Sequence, residues 1–306
     1  MSGTMSDGFL AFSMGGIGTA GGERCNLLYE EEGRPFPLVQ VQIDTDPRPS
    51  DAFDERCFIP LTEATLSAMK ANPAHFGHTV EQIMGHYGAL LDPEDAHNGS
   101  RTTRLLTQLA FAAHEKKVIK LMRTAVRELR RRGAKRVIPI FLSSSGGGCG
   151  SALQALLAWK LHDRSVQRRV AEGFGESPLQ RPVAFVVEPF AHAIRSADVD
   201  ADKILGNSYA FRIESAILER MGAYKYVFHL GMANDSGTVL DTPEELARVL
   251  GTSVYTFMRD WSSIKARLVD TVDSRFGHVY TGKDAFPADL NGNGRRLHVP
   301  TGMVSR

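Results

Sequence analysis

Two glycine-rich turns, each set between a short apolar run and a helical pattern, restrict what this chain can fold into more than any other feature. The first apolar run is Gly8 to Met14 (GFLAFSM), which leads into Gly15 to Gly22 and then a helical spacing over Glu23 to Glu32. The second is Val137 to Leu142 (VIPIFL), which leads into Ser143 to Ser151 and the apolar helix Ala152 to Leu161. A unit of strand, glycine turn and helix used twice predicts an α/β fold, a mainly parallel sheet with helices on both faces. Further strands are expected at Leu38 to Ile43, Val183 to Val187 and Tyr224 to Leu230. Helices are expected over Ser100 to Arg132, in one piece or two joined near His114, over Asp202 to Met221 and over Thr242 to Val269. Leu61 to Tyr87, with Pro73 and several glycines, reads as irregular.

Composition narrows the class. With 306 residues, 42% apolar and 23% charged, the chain can bury a sizeable core and lies far from the disordered corner. Thirty-six Lys and Arg against 35 Asp and Glu leave a net charge of +1, so no global field draws it to nucleic acid or to an anionic membrane. Three separated cysteines, Cys25, Cys57 and Cys149, argue for a reducing compartment and against structural zinc. No apolar run approaches the ~20 residues of a membrane helix and neither end reads as a targeting signal, so a cytoplasmic protein is expected.

Glycine lets a backbone approach an anion closely, so that successive N–H groups and a helix dipole converge on phosphate oxygens. Gly16-Ile17-Gly18-Thr19-Ala20-Gly21 fits the dinucleotide pattern G-x-G-x-x-G, with Asp44 a little over 20 residues on. That reading alone gives an NAD(P)-dependent oxidoreductase with Asp44 on the ribose hydroxyls. The second turn, Ser145-Gly146-Gly147-Gly148-Cys149-Gly150-Ser151, is more demanding, because four glycines destabilise a junction unless close approach is required. It lacks the G-K-[ST] of a Walker loop. Two phosphate turns together argue for a nucleotide held from two sides.

These residues resemble the tubulin/FtsZ superfamily, in particular its bacterial tubulin-like branch, whose signature GGGTGSG is matched by Gly146-Gly147-Gly148-Cys149-Gly150-Ser151-Ala152 with Cys149 for threonine and Ala152 for glycine. The resemblance implies a GTP- or GDP-binding domain with Mg²⁺. It implies phosphate contacts from Gly16, Gly18, Thr19, Ala20 and Gly21, from Asn98, Gly99, Ser100 and Arg101, and from the Ser145 to Ser151 turn. By the same resemblance Asp44 and Asp46 lie on the Mg²⁺ side, Glu188 and Pro189 on the ribose side, and Asn207 and Asn234 at the base. The family's catalytic acids close a helix and act on the next subunit's nucleotide, and Asp270 and Asp273 stand in that place.

The layout so implied is a flexible N-terminus (1–7), a nucleotide-binding domain (8–241), a long central helix (242–270) and a tail or the start of a truncated second domain (271–306). The function implied is a guanine-nucleotide-binding protein, a slow GTPase whose hydrolysis depends on head-to-tail self-association. A nucleotide-bound scaffold without turnover is the alternative from another class. The run Lys116 to Arg136 holds ten basic residues against Glu128, and without interleaved aromatics it reads as a solvated helix face. Neither nucleic acid nor a membrane is expected as a partner.

Overall fold

The computed structural model describes residues 7–14, 36–45, 55–96, 103–171, 179–189, 201–231, 243–261 and 278–281. Its strands are β1 (Asp7–Met14), β2 (Leu38–Asp44), β3 (Glu55–Phe58), β4 (Arg136–Ser144), β5 (Val183–Val187), β6 (Tyr226–Leu230) and β7 (His278–Thr281). They form one sheet in the order β3-β2-β1-β4-β5-β6-β7, with the short β7 at its edge, and every neighbouring pair is parallel. The order reverses between β1 and β4, where Asp7 pairs with Arg136 and Ser13 with Leu142. Connections leave that pair in opposite directions, which opens a crevice beyond the carboxyl ends of the two strands. Both glycine turns follow the strands that flank it.

The central strands are apolar on both faces, as strands covered on both sides must be. Leu10, Phe12 and Met14 of β1 enter one core, while Phe9 and Ala11 enter the other. The helices are α1 (Glu63–Ala71), α2 (His78–Tyr87), α3 (Arg104–Arg131), α4 (Gly148–His162), α5 (Arg164–Val170), α6 (Ala201–Arg220) and α7 (Pro243–Arg259). The first core takes apolar residues of α1 to α6, including Leu106, Val118 and Met122 of α3 and Leu153 and Leu157 of α4. The second takes Leu250, Val254, Phe257 and Met258 of α7 together with Trp261. There Phe185 and Phe228 stack at 4.9 Å between ring centres, with Phe257 edge-on to both at 5.4 and 5.5 Å. Such pairs add about 0.5–1.5 kcal/mol each beyond their buried area.

Most elements lie where the sequence places them; the exceptions are the Leu61 to Tyr87 stretch, β3 and β7. The Leu61 to Tyr87 stretch is not irregular: Thr62 caps α1 through its side chain, Pro73 opens a single 3₁₀ turn, and Val80, Ile83 and Met84 bury one face of α2. α3 is one unbroken helix of 28 residues starting at Arg104, ended by Gly133 at φ 90°, whose N–H returns to Arg130 while that of Ala134 returns to Leu129. β3 was not foreseen, because a four-residue edge strand carries no alternation to read. The last helix is described over the 17 residues of α7, and β7 follows it in a stretch whose polar, glycine-rich sequence gave no sign of a strand.

Candidate functional site

The glycines of the second turn are the beginning of α4 rather than a loop ahead of it. β4 ends at Ser144, and α4 begins at Gly148 with Gly147 as its N-cap at φ −76°, ψ 145°. Gly147 has no side chain to turn back on the helix, so no side-chain cap closes this amino terminus. The same N–H groups carry the positive end of the helix dipole.

Each glycine has its own reason. A β-carbon on Gly150 would stand 2.9 Å from the carbonyl oxygen of Met14 and 3.2 Å from the Ser144 nitrogen, so α4 is pressed against the ends of both β1 and β4. A β-carbon on Gly146 would meet Cγ2 of Ile204 at 2.7 Å and Cβ of Pro189 at 3.1 Å. Gly147 differs, because its nearest neighbour would be Cβ of Ser144 at 3.9 Å. Two of these positions are closed by protein, and the one at the cap is uncrowded among the described residues.

Four more elements converge here. From the end of β2, Asp44 and Thr45 are buried, and the Thr45 N–H donates to the Asp44 carboxylate at 2.7 Å. Both face Cys149: burial, then the nearby Asp44 charge, push its thiol well above the ordinary range, and hydrogen bonding with Thr45 offsets only part of the rise. Cys149 is thus a neutral buried thiol joining α4 to β2. From β5, the Ser145 N–H donates to the Val187 carbonyl at 3.0 Å. From α6, the Asn207 amide donates to the Gly146 carbonyl at 3.0 Å and the Ser208 hydroxyl donates to Ser145 Oγ at 3.1 Å. Arg104, in the first turn of α3, donates to the Ser151 carbonyl at 3.5 Å and pairs with Glu214 of α6.

Glu188 turns toward β6. Its carboxylate meets Nδ1 of His229 at 2.6 Å and Nη2 of Arg212 at 2.8 Å. Burial alone would raise its pKa, but the hydrogen bond and charge of His229 and the charge of Arg212 outweigh it and hold the carboxyl below its usual range. The ionic cluster fixes the β5 end, and with it Pro189, against Gly146.

The structure therefore brings Ser145, Gly146, Gly147, Gly148, Cys149, Gly150 and Ser151 together with Asp44, Glu188, Pro189 and Asn207. Gly16, Gly18, Thr19, Ala20, Gly21, Asp46, Asn98, Gly99, Ser100, Arg101, Asn234, Asp270 and Asp273 lie outside the described residues. Sequence reasoning missed Arg104, Ser208, Arg212 and His229. A charged residue at the buried start of an apolar helix was the readable sign of Arg104, and His229 within the strand sequence YVFHL was that of a buried polar pair.

No protein-family model matches the chain, and no curated protein does. Solved structures do. CetZ2 from Haloferax volcanii, in a GTPγS-bound protofilament, superposes with a TM-score of 0.50 at 14% identity, over 85% of this chain and 63% of that one. CetZ1 from the same organism, a GDP-bound monomer, gives 0.46 at 12% identity over 86% and 64%. TubZ of the Clostridium botulinum phage c-st, with its C-terminal tail truncated, gives 0.45 at 11% identity over 83% and 61%. The chain spans about three fifths of the length of these structures. On the CetZ2 superposition, with a parallel sheet whose order turns between two glycine-turn strands, the chain has the tubulin/FtsZ-type fold.

Proposed function

We propose that the chain binds a guanine nucleotide with its phosphates at the first turn of α4. The observation that carries this reading is Gly147: among the described residues nothing crowds its N-cap position, and no side chain of theirs caps the helix behind it. A β-carbon there would stand where a phosphate oxygen could otherwise approach the N–H groups of Gly148 and Cys149. The site lies at the carboxyl edge of the sheet at its switch point, which favours ligand binding on topology alone. The likeness to CetZ2, whose structure holds GTPγS, supports the choice of nucleotide.

In this reading Gly16, Gly18, Thr19, Ala20 and Gly21 close on the phosphates from the β1 side, and Asn98 to Arg101 meet the terminal phosphate. Asn207, held beside the turn by its bond to Gly146, stands at the base with Asn234, and Glu188 and Pro189 flank the ribose. Asp44, tied to Thr45, sets the strand end leading to Asp46 on the Mg²⁺ side. When bound, Mg²⁺ supplies neutralisation of phosphate charge. Asp270 and Asp273 orient water on the nucleotide of a neighbouring copy, so hydrolysis is slow and depends on head-to-tail self-association.

Isothermal titration of the chain with GTP, ATP and NAD tests the binding half. GTP alone should bind tightly. Preferential binding of NAD would return the chain to the oxidoreductase reading, for which the strand order is equally suitable. Phosphate release with GTP and Mg²⁺, measured from low to high micromolar protein, tests the other half. Specific activity should rise with concentration, whereas fast turnover independent of concentration would place the catalytic groups within one chain. Tight binding with no release at any concentration would leave the scaffold.

A further inference from the structure

The basic run on α3 lies along one wall of a cleft. α5 packs beside α3 by burying Val166 and Val170, and between the two helices is a concavity of about 450 Å³ with Ile119 among its walls. Lys116, Lys120 and Arg123 line it from α3, spaced so that they share one face of the helix. Arg168 and Arg169 line it from α5.

Among the described residues two carboxylates are close, and both are engaged. Glu115 pairs with Lys160 of α4 at 2.9 Å. Asp163 caps α5 by accepting the Ser165 N–H at 2.7 Å, and hydrogen bonding with Ser165, with a smaller part from the Arg169 charge, holds its carboxyl below the usual range. Five basic side chains and one acid, Glu115, therefore line the space, and the Glu115 carboxylate is held on Lys160. On a chain of net charge +1 this is a local concentration of positive charge, and a concave one.

We propose that this cleft binds a small soluble polyanion carrying two or more phosphate groups. The guanidinium forks of Arg168 and Arg169 suit tetrahedral oxyanions, and the lysines add point charges. The volume is that of a small-molecule site. Among the described residues no aromatic side chain lines the cleft, so these residues offer no platform on which bases of a nucleic acid could stack. The cleft is distinct from the glycine turn. Lys160, at its border, lies 12 residues along α4 from Gly148, or about 18 Å on a helical rise. α3 and α4 both run from the glycine-turn region to the cleft, so an anion held there sits on the same two helices.

Inorganic triphosphate, titrated calorimetrically into the full chain, is the probe. Binding should weaken as salt is raised. It should fall at least tenfold in Lys120→Ala/Arg168→Ala/Arg169→Ala and persist in Gly147→Val. The triple variant removes mutually repelling surface charges, so its thermal midpoint should hold or rise. Should it fail to fold, Lys120→Glu alone, on the exposed side of α3, must give the same loss. Equal triphosphate affinity in parent and cleft variants overturns the proposal, as does loss of all binding in Gly147→Val. Binding to phosphoinositide-bearing vesicles or to duplex DNA without binding to soluble triphosphate overturns it in favour of a membrane or nucleic-acid surface.

Discussion

The Cβ position of Gly146 lies 2.7 Å from Cγ2 of Ile204, closer than two carbon atoms can stand. Gly146 is therefore a packing glycine, set between β4 and α6 and held by the Asn207 amide on its carbonyl. Gly146→Ala should destabilise the fold by about 1–3 kcal/mol, the usual range for overpacking a tight core. Adding Ile204→Ala should restore only part of it, because Pro189 still stands 3.1 Å from the new carbon. Urea denaturation of the single and double variants measures both; full recovery in the double variant would show that Pro189 yields.

Gly147 should behave in the opposite way. Its φ of −76° and ψ of 145° suit a β-branched residue, and none of the described residues crowds its outward side. Gly147→Val is expected to keep the thermal midpoint within a few degrees while GTP affinity falls by a hundredfold or more. Unchanged GTP binding in a folded Gly147→Val protein would move the phosphate site elsewhere.

Asn207 carries two expectations that one variant separates. Removing its amide unpins the Gly146 carbonyl and takes away the proposed contact to the base. Asn207→Ala should weaken GTP by about 1–3 kcal/mol, the range for a buried partner left unpaired, and ATP by clearly less. Titration with both nucleotides decides it: equal losses for GTP and ATP would mean that Asn207 acts only by holding the turn.

Glu188 should make stability depend on acid. Its folded pKa lies below that of an exposed glutamate, about 4.3, because His229 and Arg212 outweigh its burial. A depressed carboxyl contributes stability that is present above the unfolded pKa and lost as pH falls through the folded one. Glu188→Gln, which leaves Arg212 and a buried His229 without their carboxylate, should cost about 3–5 kcal/mol at neutral pH. The gap from the parent should narrow below pH 4. Denaturation midpoints of both proteins from pH 7 to pH 3 give the comparison, and a gap that stays constant would show that the pair contributes no charge-dependent stability.

Local pattern made the sheet and its helices readable. Strands buried on both faces leave short, mostly apolar runs, as in β1, β4, β5 and β6, while β2 alternates apolar residues with the buried Gln40 and Gln42. β3 and β7, four residues each at the two edges, are held by pairing with a neighbour far away in sequence, which no local signal records. The second glycine turn stood out because four glycines within five residues have few physical reasons to occur. Which glycine serves packing and which faces outward was not readable, since Ile204, Pro189 and Met14 reach that turn only through the fold. The buried ion pairs Arg104–Glu214 and Arg212–Glu188 escaped notice for the same reason: each joins residues from different elements.

The close approach of Gly150 to the Met14 carbonyl and the Ser144 nitrogen leaves no slack between the start of α4 and the two central strands. These three pieces behave as a single block, and α4 cannot tilt or slide to report that something has arrived at its first turn. Any message of occupancy has to leave through parts that rest on the block from outside. α6 is one such part, touching it through hydrogen bonds from Asn207 and Ser208 that can break and re-form.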